Sequence, residues 1–312
     1  MRVVFFGTPD FAVPSLRALV GEGFDVVAVV TQPDAPQGRS RSRLVPPPVK
    51  VVAEAEDLPV LQPERPAGPF LDELRALQPD IGVVVAYGHI LKAELLTLPS
   101  RGMVNVHPSL LPELRGPAPV EWTVINGLAR TGVTIMQLDA GMDSGPILHQ
   151  LPHRIDPDVT GGELSAHLAE LGAQALIETL ALLEQGDPPP APVPQDDARA
   201  TLAPKLTRET ARIDWTKDAR HVGCLIRGLD PRPGAWTALI GGGVEIKLFA
   251  PNVVAQQSQR APGEVLSAGE SLVIATGGGT IEILEVQPAG KERMAAKDWL
   301  RGARLEAGAK FS

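Results

Sequence analysis

The sequence predicts an α/β domain with a doubly wound, mostly parallel sheet, followed by a smaller all-β domain. Three observations carry that expectation. The first 186 residues alternate short apolar runs with segments of helical periodicity; a proline-rich stretch then interrupts the chain; beyond about residue 207, β-branched segments recur around glycine clusters. Strands that are apolar throughout belong to a parallel sheet with both faces covered by helices, whereas short strands between glycine turns belong to an antiparallel barrel or sandwich. At 312 residues and 44% hydrophobic content the chain is long enough to bury two cores.

In order, residues 2–6, 26–31 and 81–86 read as strands, with helices at 14–20 and 70–77. Residues 102–106 and 133–138 supply two further strands with a helical segment at 119–126 between them. Thr160 followed by Glu163 is a capping box, after which Leu164, Leu168, Leu171, Ala175, Ile177 and Leu180 recur at helical spacing as far as Gly186. Residues 187–194, Asp-Pro-Pro-Pro-Ala-Pro-Val-Pro, favour an extended, semi-rigid linker. The expected organisation is therefore a domain at 1–186, a linker at 187–206 and a β-domain at 207–312, whose strands fall at 236–240, 244–249, 263–266, 272–275 and 280–286.

Composition narrows the function. A lone cysteine, Cys224, makes neither an internal disulfide nor a thiolate cluster. No run approaches the roughly 18 apolar residues of a membrane helix, and the N-terminus lacks a signal-peptide pattern, so a cytoplasmic location without membrane attachment is expected. The net charge of −8 hides an asymmetry: residues 1–206 hold 15 basic against 25 acidic side chains, net −10, and residues 207–312 hold 14 against 12, net +2. Within the acidic part Arg39, Arg41 and Arg43 form one basic cluster, which reads either as a solvated loop or as a point of contact with a polyanion.

The exit of the first strand, Gly7-Thr8-Pro9-Asp10-Phe11, has one glycine where a dinucleotide fingerprint needs three, and no Walker pattern is present. The informative block is Asn105-Val106-His107-Pro108-Ser109-Leu110-Leu111-Pro112. Asn105 and His107 lie two apart on a strand end and project to one side, at the sheet edge where open α/β folds bind ligands. A packed core histidine before a proline turn is the competing reading. A second constellation, Asp139-Ala140-Gly141-Met142-Asp143-Ser144-Gly145, follows the strand at 133–138. A carboxylate there can orient an imidazole and raise its pKa, or can simply cap the turn, a choice that stays open for Asp139. His89, His149, His153, His167 and His221 show no ligand spacing, so no metal is expected, and no candidate nucleophile is present, so transfer is expected to be direct.

Asn105-x-His107 with Ser109-Leu110-Leu111-Pro112 and Asp143-Ser144-Gly145 resembles the folate-dependent formyltransferases. Phe6-Gly7-Thr8-Pro9-Asp10-Phe11, Thr31-Gln32-Pro33-Asp34, Pro48-Val49-Lys50, Gly132-Val133-Thr134-Ile135-Met136, Ala211-Arg212-Ile213-Asp214-Trp215 and Gln287-Pro288-Ala289-Gly290-Lys291 extend the resemblance through both expected domains, toward the branch that formylates methionine on initiator tRNA. The resemblance implies a Rossmann-like formyltransferase fold joined to a β-barrel of oligonucleotide-binding (OB) type. It implies 10-formyltetrahydrofolate as co-substrate, initiator methionyl-tRNA as partner, and no obligate protein partner. Carried over by position, it makes Asn105, His107 and Asp143 catalytic. It sets the folate against Tyr87, Gly88, His89 and Leu91, against Ser109, Leu110, Leu111 and Pro112, and against Ala140, Gly141 and Met142. Arg39, Arg41 and Arg43 become the tRNA contacts. The basic loop is one residue longer than is usual in the family; Pro108, Leu114 and Pro117 stand where Gly, an aromatic residue and Ala are commoner. On that reading Asn105 and His107 donate to the tetrahedral oxyanion, and Asp143 keeps His107 protonated and helps return the amine proton to the folate. A sugar-nucleotide amine or glycinamide ribonucleotide as acceptor, a folate-binding regulator and a formyl hydrolase are the alternatives.

Overall fold

The computed structural model describes residues 1–37, 43–185, 191–242, 245–254 and 258–312. The chain divides into two compact units, one of residues 1–116, 130–154 and 165–203, the other of residues 117–129, 155–164 and 204–312.

The first unit contains β1 (Arg2–Gly7), α1 (Val13–Gly21), β2 (Asp25–Val30), a short hairpin of β3 (Ala35–Gln37) and β4 (Arg43–Val45), α2 (Pro48–Ala55), β5 (Val60–Leu61), α3 (Pro69–Ala76), β6 (Ile81–Val85), α4 (Ala93–Leu96) and β7 (Met103–His107). After α5 (Pro119–Ile125), which clusters with the second unit, β8 (Arg130–Gln137) and β9 (Ile147–Arg154) complete a seven-stranded sheet of order β5-β2-β1-β6-β7-β8-β9. Neighbours from β5 to β7 run parallel, and the β7–β8 and β8–β9 pairs are antiparallel. β1 and β6 bury nearly every residue because helices cover both sheet faces. Strand order reverses between β1 and β6, so the crevice beyond their carboxyl ends is the topological switch point where such sheets take ligands.

The helix expected after the capping box is α6 (Gly161–Gln185), and the box is formed: Glu163 N donates to Thr160 Oγ1 at 3.2 Å and Thr160 N to Glu163 Oε2 at 2.9 Å. Leu164, Leu168, Leu176 and Leu180 are buried along it, with Leu176 rather than Ile177 facing inward. At Gly172 the helix lies so close to β7 that a Cβ would sit 2.8 Å from Val106 Cγ1. This contact presses on the strand that bears Asn105 and His107.

In the second unit α7 (Ala219–Gly228) is followed by β10 (Ala235–Ala238), β11 (Glu245–Val254), β12 (Val265–Ala268), β13 (Leu272–Ala275), β14 (Thr280–Pro288), β15 (Met294–Ala295) and α8 (Ala296–Ala303). The six strands form one antiparallel sheet of order β10-β11-β14-β13-β12 with β15 on β14, separate from the first sheet as expected. Its core includes Ile246, Leu248, Ile274, Ile281 and Ile283, and α5 and α7 contribute Ile125, Val222 and Ile226. The last residues bond to both sheet edges: Ile240 N to Lys310 O (2.8 Å) and Ser312 N to Ala238 O (2.9 Å) on one side, Val265 N to Ala309 O (2.8 Å) and Phe311 N to Gly263 O (2.9 Å) on the other. Among the described residues no helix is long and apolar enough to cross a membrane.

Candidate active site

β7 ends at His107 because Pro108 has no amide to continue the ladder. The turn that follows is held from inside the sheet by Thr134 of β8. Its buried hydroxyl donates to Ser109 O (2.7 Å) and accepts from Leu111 N (3.1 Å) and Gln150 Nε2 (2.8 Å). Ser109 Oγ donates to Glu113 O at 2.6 Å, and Ser109, Leu111 and Pro112 are buried. Buried side chains and internal hydrogen bonds thus fix the turn in one conformation.

The structure brings His107 and Asp143 together. The imidazole is 4% exposed; its Nε2 lies 3.0 Å from Leu114 O and its Nδ1 3.8 Å from Asp143 Oδ2. A carbonyl only accepts, so Nε2 carries the proton and Nδ1 faces the carboxylate. Asp143 Oδ2 in turn accepts from Gly116 N at 2.8 Å. One short loop thus orients both groups, with Leu114 at φ 60° and Asp143 itself at φ 51°, left-handed conformations that non-glycine residues hold only when their surroundings impose them. Gly145 is required for the second loop: a Cβ there would lie 1.9 Å from Gln137 O. Asn105 sits two residues before His107 on the same strand, half-buried, and its amide has no hydrogen-bond partner among the described residues. Asp139 resolves as the turn cap, accepting from Gly141 N (2.9 Å) and Ser144 Oγ (3.1 Å).

Burial pushes the His107 pKa below its ordinary 6.5, outweighing the opposing pull of Asp143 and the Leu114 hydrogen bond. The imidazole is therefore neutral near pH 7, contrary to the expectation that Asp143 keeps it protonated. The sign of the linked stability follows. Between the lowered folded value and about 6.5 the unfolded chain binds the extra proton, so this contribution is intact above 6.5 and lost as pH falls below it, by up to about 1.4 kcal/mol per pH unit. In denaturant titrations from pH 7.5 to 5.5, wild type is expected to lose more stability than His107→Asn. Equal slopes for the two proteins would contradict a buried, neutral His107.

The expected folate residues fall in the segments that follow β6, β7 and β8. Tyr87 is buried, its ring 5.4 Å edge-on from Phe6, and its carbonyl accepts from Thr8 Oγ1 (2.9 Å) and Gln32 Nε2 (3.2 Å), which ties the exits of β6 and β1 together. Gly88, Ala140, Gly141 and Met142 are exposed; His89, Leu91 and Leu110 are half-buried. The Tyr87 hydroxyl, its pKa pushed up to about 12 by burial, and His89 Nε2 are buried without a hydrogen-bond partner among the described residues. Arg43 opens β4 and is exposed, whereas Arg39 and Arg41 lie outside the described residues. The hairpin is anchored at its base: Lys50 Nζ pairs with Asp34 (2.9 and 3.0 Å) and Gln62 Nε2 donates to Asp34 Oδ1 (2.8 Å), and these contacts, Gln62 foremost, hold the Asp34 carboxyl below the usual range. Among the described residues no group of three or more His, Cys, Asp or Glu is placed to hold a metal ion. Sequence reasoning missed Leu114, Gly116, Arg115 and Gln195. The first two act through backbone atoms, and the last lies just past a proline run, so no side-chain pattern announces them.

The Formyl transferase family matches residues 1–180, and its C-terminal domain family matches residues 205–304. Methionyl-tRNA formyltransferases of Geobacter metallireducens and Desulfotalea psychrophila are similar over nearly the full length. The first is 43% identical over 99% of this chain and 97% of its own, the second 47% identical over 98% and 94%. The solved N-formyltransferase of Helicobacter canadensis, in complex with folinic acid and dTDP-3-aminofucose, shares the fold at a TM-score of 0.69 with 17% identity, over 94% of this chain and 99% of that one. With both family domains matched in order and relatives 43% and 47% identical over nearly the full length, the chain belongs to the formyltransferase family, in its methionyl-tRNA formyltransferase branch.

Proposed function

We propose that this chain transfers the formyl group of 10-formyltetrahydrofolate to the free α-amino group of methionyl-initiator tRNA. The observation that carries the reading is the 47% identity to a methionyl-tRNA formyltransferase over 98% of the chain. That likeness spans both units and so favours a tRNA acceptor over the sugar-nucleotide amine that the more distant structural neighbour suggests.

Asn105, His107 and Asp143 form the reacting set. The free amide of Asn105 donates to the formyl oxygen as it gains charge. Because His107 Nε2–H is engaged with Leu114, the ring works through Nδ1. There it accepts the proton that the amine releases as its nitrogen bonds to the formyl carbon; the resulting imidazolium, stabilised by Asp143, returns that proton to N10 as the carbon–N10 bond breaks. His107 thus serves as base and then acid, in place of the standing oxyanion donor expected from the sequence.

The folate lies at the switch point, against the 87–91 segment, the 109–112 turn and the 140–142 loop. The unpartnered Tyr87 hydroxyl and His89 Nε2, with Ile90 (93%) and Met142 (57%) exposed, suit a ligand with both polar edges and an apolar ring. Arg39, Arg41 and Arg43 and the net-positive C-terminal part meet the tRNA, so affinity falls steeply with salt. The domain division at 1–186, 187–206 and 207–312 and an OB-type barrel in the last part belong to the same reading. The bonds from residues 309–312 to both sheet edges support barrel closure.

The test is transfer of labelled formyl from 10-formyltetrahydrofolate to initiator methionyl-tRNA, beside elongator methionyl-tRNA, a sugar-nucleotide amine and a no-acceptor control. Label on the initiator tRNA is expected. Formate released without acceptor would establish a hydrolase instead, and label on the sugar amine would reassign the acceptor.

A further inference from the structure

We propose that Gln195 is a positioning residue for Asp143. Its carboxamide fastens the loop that carries Asp143 to the loop that orients His107, and so sets the carboxylate against the imidazole. The inference rests on the catalytic reading of Asn105, His107 and Asp143.

Gln195 is half-buried in a stretch where residues 191–194 and 196–199 are all exposed, so one side chain turns inward from a segment whose composition predicts a linker. The backbone brings it there in register. Val193 exchanges two hydrogen bonds of 2.8 Å with Ile147, and further along Arg115 N donates to Thr201 O (2.9 Å), Leu114 N to Thr201 Oγ1 (2.8 Å) and Ala203 N to Arg115 O (2.7 Å). Gln195 Oε1 accepts from Arg115 Nε (3.0 Å) and Nη2 (2.8 Å), and its Nε2 donates to Asp143 O (2.9 Å) and Gly145 O (2.7 Å). A guanidinium only donates and a carbonyl only accepts, so the amide has one possible orientation and the position calls for a group with both functions. Arg115 and Gly145 adjoin the two groups that matter. Arg115 stands between Leu114, which holds His107, and Gly116, which holds Asp143. Asp143 itself keeps a left-handed φ of 51°, which these bonds help to impose.

The experiment compares full-length wild type, Gln195→Ala, Gln195→Glu, Asp143→Asn and the Gln195→Ala/Asp143→Asn double variant, in single-turnover formyl transfer to methionyl-tRNA with KM for both substrates. Gln195→Ala is expected to slow the transfer step about tenfold to a hundredfold, as for a displaced reacting group, with both KM values within about threefold. Gln195→Glu keeps the shape and both acceptor bonds to Arg115, so it retains the fold, but it sets a carboxylate against two carbonyls and is expected to lose at least as much. In the Asp143→Asn background, Gln195→Ala is expected to cost less than about threefold more, because its target is already gone. A transfer rate for Gln195→Ala or Gln195→Glu within about twofold of wild type, or the full loss repeated on top of Asp143→Asn, would overturn the proposal. Asp143→Asn at the wild-type rate would instead remove the catalytic reading beneath it.

Discussion

Replacing Asn105 with alanine is expected to lower kcat about 10²–10³-fold while leaving the KM for the formyl donor and for methionyl-tRNA nearly unchanged. In the tetrahedral state the formyl oxygen carries charge that it lacks in the ground state, and a donor already in place at that oxygen acts on the transition state alone. Asn105 fits because its amide has no other partner among the described residues and sits beside His107 at the end of β7. In the resting site His107 Nε2–H is engaged with Leu114 and burial lowers the ring's pKa, which leaves the Asn105 amide as the free donor. The same freedom makes the substitution mild for folding, so the melting temperature of Asn105→Ala should stay close to wild type. Turnover within about threefold of wild type in a folded Asn105→Ala protein would exclude Asn105 as the oxyanion donor.

Part of this site is written in local sequence and part is not. β1, β6 and β7 are legible because a strand buried on both faces has to be apolar throughout, and the spacing of Asn105 and His107 sets them on one side without knowledge of the partner strands. The start of α6 is legible because its cap is local. β9 is harder: it reads Ile-Leu-His-Gln-Leu-Pro-His-Arg, neither continuous nor alternating, and it forms as an edge strand by pairing with β8. Residues 117–129 share a core with Val222 and Ile226 of α7, and Trp122 Nε1 donates to Pro204 O at 2.8 Å, associations that no local period reveals.

The chemistry divides in the same way. Residue types suggested an acid beside an imidazole, and the 3.8 Å approach of Asp143 to His107 is consistent with that. The protonation state follows from burial depth, which spacing cannot report, and here desolvation outweighs the carboxylate. The atoms that fix the pair are a carbonyl at Leu114, an amide at Gly116 and a glutamine beyond a proline run. Their contribution exists only once the chain has folded back on itself.

The largest stability effect is expected at Arg293 in the second unit. Its Nη1 and Nη2 grip both carboxylate oxygens of Asp230 at 2.7 and 3.1 Å, its Nε pairs with Glu285, and the guanidinium stacks 4.1 Å over the Phe249 ring. Asp230 is 7% exposed, so truncating Arg293 strands a buried carboxylate, a change that typically costs 3–5 kcal/mol. Arg293 is itself about one-third exposed, and water entering the vacated space solvates part of the stranded charge, so about 3 kcal/mol is expected for Arg293→Ala. The measurement is unusually clean. All four tryptophans, Trp122, Trp215, Trp236 and Trp299, belong to the second unit, so tryptophan emission during denaturant unfolding follows that unit alone. Adding Asp230→Asn to Arg293→Ala removes the stranded charge and should recover part of the loss. A single-variant loss below about 1 kcal/mol would mean that the pair acts as an ordinary surface bridge. No recovery in the double variant would assign the loss to the missing stack on Phe249 instead.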